Sequence, residues 1–119
     1  MQVLIVESTP DLAALWARHL ERQGISVVLA ADADRAVSLI AARPFDVIIL
    51  DLVLATGSAL AVADVAQFRQ PDTSVIFVTD TSFFSDGSIF SIMPNARAFL
   101  PTRTPPDDLA AVVEYYGAA

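Results

Sequence analysis

Residues 45–52 read FDVIILDL, an apolar run rich in Ile and Val that ends on one carboxylate, Asp51, before a final leucine. Pro44 stands before the run and Gly57 follows it. A strand with one wet face would alternate apolar and polar residues, so a run this continuous reads as a central parallel strand covered on both faces. In open α/β sheets, ligands gather at the carboxyl ends of such strands, which is where Asp51 is delivered. The competing reading is an aspartate that merely caps the next turn.

Outward from this run, four more apolar stretches recur: VLIV (3–6), SVVLA (26–30), SVIFVT (74–79) and ARAFL (96–100). The segments between them have helical periodicity, as in Leu12, Leu15, Trp16 and Leu20. Alternating strands and helices imply an α/β fold with parallel strands, right-handed crossovers and helices on both faces. Turn and cap residues mark the boundaries. Pro10 and Asp11 open the first helix and Gly24 closes it, while Asp32 or Asp34 caps a second that ends before Pro44. A third runs from about Ser58 to Arg69 and stops at Gln70-Pro71; a fifth follows Thr104-Pro105-Pro106-Asp107 and reaches about Tyr116. The fourth, Thr81 to Pro94, is the least periodic because Gly87 and several serines dilute it.

At 119 residues, with no repeat, linker or low-complexity tract, the chain is expected to be one domain spanning 1–119, without an output domain. Hydrophobic residues make up 55% and mean hydropathy is +0.55, yet no apolar stretch reaches the roughly 18 residues of a membrane span. No basic segment or cleavage site opens the chain, so a cytoplasmic location without membrane contact is expected. Cysteine is absent, which excludes thiolate chemistry and disulfides. A net charge of −7, from seven Arg and no Lys against fourteen acids, speaks against a nucleic-acid surface and for protein partners.

These stretches resemble the receiver domain of two-component response regulators, over Gln2 to about Val113. The matching segments are VLIVESTPDLAALWARHLERQGISVVLAADADRAVSLI, FDVIILDLVLATGS, SVIFVTD and ARAFLPTRTPPDDLAAVV. The resemblance implies a flavodoxin-like (βα)5 doubly wound fold, with a five-stranded parallel sheet in the order 2-1-3-4-5. It also implies that Asp51 accepts a phosphoryl group from a sensor histidine kinase or histidine phosphotransfer protein. The domain would not be an enzyme beyond its own phosphorylation. It would signal to a downstream protein, or to a second copy, through the fourth helix, fifth strand and fifth helix.

A carboxylate attacking phosphorus must overcome repulsion between anions, so such sites use Mg²⁺ and a cation. By resemblance, Glu7, Asp51 and the Val53 carbonyl would hold the metal, with Glu7 otherwise a solvated turn residue. The second acid of the family is Ser8 here, which could act weakly through a metal-bound water. Thr79 matches the hydroxyl that hydrogen-bonds the phosphoryl group. Phe99 occupies the place of an aromatic switch residue, or is a plain core phenylalanine. Three departures weaken the match. Besides Ser8, Asp80 stands where a small residue is usual, and Thr102 replaces the family lysine, with Arg103 in place of the following cis proline. Charged hydrogen bonds contribute about 1.5–3 kcal/mol, so losing the ammonium would weaken phosphoryl stabilisation roughly ten- to a hundredfold unless Arg103 substitutes. These departures make a degenerate receiver, a phosphorylation-independent binding module, the alternative function. Haloacid dehalogenase chemistry would need a second Asp at Val53, and a flavodoxin-type phosphate loop would need glycine in Ser8-Thr9-Pro10-Asp11.

His19 reads as a solvated helix residue, Trp16 as core, and Tyr115 and Tyr116 as a helix end packed on its own domain or as dimer contacts. Phe83, Phe84, Ile89, Phe90, Ile92 and Met93 form a heavier apolar cluster than one helix face needs.

Overall fold

A computed structural model describes residues 1–79 and 95–117. Asp80, the expected fourth helix and its apolar cluster lie outside the described residues. Five parallel strands, β1 (Gln2–Val6), β2 (Ser26–Ala30), β3 (Val47–Asp51), β4 (Ser74–Val78) and β5 (Ala96–Leu100), form one sheet. Their order is β2-β1-β3-β4-β5, as the resemblance implied. The described helices are α1 (Pro10–Glu21), α2 (Ala33–Ala42), α3 (Ala59–Arg69) and α4 (Pro106–Gly117), the last being the fifth helix expected from sequence. None is long and apolar enough to cross a membrane.

Local chemistry sets the helix ends. Asp32, not Asp34, caps α2, accepting from the Arg35 amide at 2.8 Å, and Ser58 caps α3 through the Ala61 amide at 3.3 Å. Gly24 takes φ +81° after α1, with its amide on the Glu21 carbonyl, and lets the chain turn back into β2.

Strand alternation splits the core into two layers. Even-numbered residues of the first three strands face α2 and α3: Leu4, Val6, Ile48 and Leu50 pack there with Leu39, Ile40 and Val62. Odd-numbered ones, Val3, Ile5, Val47 and Ile49, face α1 and α4 with Trp16, Leu20, Leu109 and Val113. The buried Trp16 agrees with its reading as core. In β5 the pattern shifts at a bulge: Val75 pairs with Ala96 but Ile76 pairs with Ala98, leaving Arg97 extra. Phe99 thereby pairs with Phe77 and packs, partly buried, against the α2 and α3 layer. The rim strand β2 carries no charged side chain, and its Leu29 is exposed.

Two expectations need correction. His19 is not a solvated helix residue: it is half-buried, with Nδ1 3.0 Å from the Leu15 carbonyl and Nε2 3.8 Å from Asp107 of α4. It sits where α1 meets α4, whose contact draws it out of water. Tyr115 does not pack on its own domain, being 72% exposed with its ring edge-on to Tyr116 at 4.9 Å.

Candidate functional site

Parallel pairing with β1 and β3 adjacent puts their carboxyl ends side by side, because Val6 pairs with Leu50. One step further, Glu7 and Asp51 are neighbours, both on the odd-numbered face towards α1 and α4. Both are buried, Glu7 to 3% exposure and Asp51 to 8%. Thr79 follows β4 and is also buried, and Thr102 follows β5 with its amide on the Thr79 carbonyl at 3.3 Å. Together with Thr9, Leu12 and Val53 these residues line a cleft of about 330 Å³.

Each acid is held by a backbone amide near it in sequence. Asp51 Oδ1 accepts from the Val53 amide at 2.9 Å, and Glu7 Oε1 accepts from the Thr9 amide at 3.0 Å. As a carboxylate, Glu7 Oε2 is buried with no hydrogen-bond donor to it among the described residues. Burial, a hydrogen bond to Asp51 and the Asp51 charge push the Glu7 carboxyl up to about 7, against an opposing contribution from Thr9. A carboxylate Oε2 has nothing to accept from; protonated, it becomes a donor to its neighbour. A cation between the acids would serve the same end. The residues therefore fit Mg²⁺: hard oxygen donors and an unsatisfied buried oxygen, with Val53 in the same lining. The set is lean, since no group of three His, Cys, Asp or Glu side chains suited to a metal occurs among the described residues.

The cleft thus brings together Glu7, Asp51, Val53, Thr79 and Thr102, all singled out from sequence. It does not include Ser8 or Arg103. Ser8 lies on the opposite face of the alternation and hydrogen-bonds the Ala31 carbonyl and the Ala55 amide instead. Arg103 is exposed, one residue out of phase with Thr102, so among the described residues no Lys or Arg side chain lines the cleft. The fixing roles of the Thr9 and Val53 amides were missed, although the two-residue spacing Glu7–Thr9 and Asp51–Val53 is that of an Asx-type turn.

A doubly wound sheet with a buried acid pair at its carboxyl edge defines a receiver, and the chain belongs to the response regulator receiver domain family, whose model matches residues 3–114. It is 31% identical over 118 residues to the response regulator protein PilR of Pseudomonas aeruginosa, covering 99% of this chain and 26% of that protein. The chain spans about a quarter of the length of the curated relatives it matches. Among solved structures it is similar to a CheY-like receiver domain protein from Methanospirillum hungatei, with TM-score 0.89, 23% identity, and 98% of this chain and 93% of that one covered. It is also similar to TrrA from Thermotoga maritima in complex with Mg²⁺ and BeF, with TM-score 0.84, 21% identity and 97% of each chain covered. The domain is therefore a signalling module of two-component systems.

Proposed function

We propose that Asp51 is the phosphoacceptor, taking its phosphoryl group from the phosphohistidine of a sensor histidine kinase or histidine phosphotransfer protein. The observation that carries this reading is the buried Glu7–Asp51 pair at the cleft. Two carboxylates held together, one with an oxygen lacking a donor among the described residues, are costly to keep ionised unless a cation joins them. In the transfer, a carboxylate oxygen of Asp51 bonds phosphorus as the P–N bond breaks and the imidazole leaves with the electron pair. The Val53 amide orients Asp51 for this attack. Thr79 and Thr102 border the same cleft and supply hydroxyls for the phosphoryl oxygens. Glu7, Asp51 and the Val53 carbonyl are the groups that would hold Mg²⁺, which, when bound, offsets the negative charge of the phosphoryl group. The Mg²⁺–BeF complex of TrrA supports this use of the fold.

Output is proposed to pass to a protein partner through β5, α4 and the segment before β5. A second reading, the phosphorylation-independent binding module, is favoured by one observation: the family's lysine position is Thr102, and no basic side chain lines the cleft among the described residues. Intact mass after incubation with acetyl phosphate and Mg²⁺ separates the two. A phosphoryl adduct that disappears in Asp51→Asn supports the acceptor. No adduct on the unaltered chain, or one that survives the substitution, leaves the binding module standing.

A further inference from the structure

Ser8 stands where a second acid is expected, and its hydroxyl is engaged in both directions. Oγ donates to the Ala31 carbonyl at 3.1 Å and accepts from the Ala55 amide at 2.9 Å. One atom thus joins the loop after β1 to the loops after β2 and β3. The β3–α3 loop is pinned again at Gly57, which takes φ +82° and lies so close to Ala33, the first residue of α2, that a Cβ there would collide with the alanine methyl. Both pins tie this loop to the same wall of the molecule. Between Asp51 and Ala55 the chain carries Val53, whose amide holds Asp51 Oδ1. With so few residues in between, the position of Ala55 limits where the Val53 amide can stand.

We propose that Ser8 is a positioning residue: its hydroxyl clasps three loops and so fixes the Val53 amide, and through it the Asp51 carboxylate, with no charge needed at position 8. The functional consequence rests on the reading of Asp51 as phosphoacceptor; the clasp belongs to the chain with nothing bound. An ionised aspartate could still accept from Ala55 but could not donate to Ala31, whereas the serine hydroxyl does both.

The test reads backbone amide exchange and amide chemical shifts of the whole chain without metal. It compares the unaltered protein with Ser8→Ala, Ser8→Thr and Thr73→Val. The last removes a hydrogen bond to the Phe45 carbonyl at the opposite end of the sheet and serves as a control for general loosening. Ser8→Ala is expected to speed Ala55 amide exchange roughly tenfold, as loss of one hydrogen bond implies, and to shift the Val53 amide. Ser8→Thr restores both, and Thr73→Val moves neither. Unchanged Ala55 exchange in Ser8→Ala overturns the clasp. Faster Ala55 exchange with an unmoved Val53 amide overturns the positioning role. Acetyl phosphate labelling, slowed several-fold in Ser8→Ala and recovered in Ser8→Thr, adds the functional readout. Because the amides are read without a phosphoryl donor, the clasp stands or falls by its own measurement even if Asp51 never accepts a phosphoryl group.

Discussion

Glu7 gives the fold one pH-dependent contribution to its stability. Its carboxyl, ordinarily near 4.5, stands at about 7 in the fold, chiefly through burial. Below about 4.5 folded and unfolded chains both hold the proton, and Glu7 costs nothing. Between there and about 7 the unfolded chain releases it while the fold retains it, so stability falls as pH rises and levels off above 7. The loss is of the order of 3–4 kcal/mol, at about 1.4 kcal/mol per unit. Glu7→Gln should abolish this slope, leaving the variant more stable than the parent at pH 8 and little changed at pH 4; urea titrations at the two pH values would show it. Mg²⁺ should raise the melting temperature of the parent at pH 8 and leave the variant unaffected, and an equal response in both would mean that Glu7 is no ligand. Much of this was legible in the sequence, because an acid following one parallel strand and another ending its neighbour must meet once β1 lies beside β3. The direction of Ser8, two residues beyond β1, continues the alternation that sends adjacent strand residues to opposite faces. The reading of Ser8 as a weak metal neighbour through a water came from the resemblance, not from that parity. Ser8→Asp tests the difference: it adds the family charge but removes the bond to Ala31, so it should strengthen Mg²⁺ binding less than a simple gain of one carboxylate would.

Among the elements, the α3–β4 corner depends on one side chain. Gln70, which caps α3, accepts from the Phe45 amide at 2.8 Å and donates to the Ile40 and Arg43 carbonyls at 2.8 and 2.7 Å. It thereby ties the end of α2 and the entry to β3 to its own helix. Gln70→Ala leaves several partly buried groups unpaired and should cost about 2–4 kcal/mol, read as a lower urea midpoint with an unchanged slope. Gly57→Ala should cost about 1–3 kcal/mol, since alanine is strained at that positive φ and its methyl meets Ala33. The strands and described helices were legible from apolar runs and their punctuation, because propensity, capping and periodicity agree there. Gln70 was read only as the end of a helix, for a polar side chain's partners come from segments distant in sequence. The bulge at Arg97 was not legible either. It depends on how β5 meets β4, and it decides which of Ala98 and Phe99 faces Phe77.

At the scale of the molecule, two packed layers share one sheet, and the helical faces are not uniformly finished. Phe68 on α3 is 84% exposed, so Phe68→Ser should leave stability within about 0.5 kcal/mol while lowering any tendency to associate. The rim of the sheet matters more for association. Strand β2, SVVLA, has neither charge nor proline, the usual devices that keep an open edge from pairing with another chain. The net charge of −7 acts in their place, and it vanishes near the isoelectric point of about 4.3. Light scattering across pH should show particle growth centred there, suppressed by Leu29→Lys; growth indifferent to that change would place the contact elsewhere. The two pH responses then oppose one another. Acid removes the cost that Glu7 carries in the fold by letting it keep its proton, and the same acid removes the repulsion between molecules. The pH that relieves the buried acid is thus also the pH at which the molecules repel one another least.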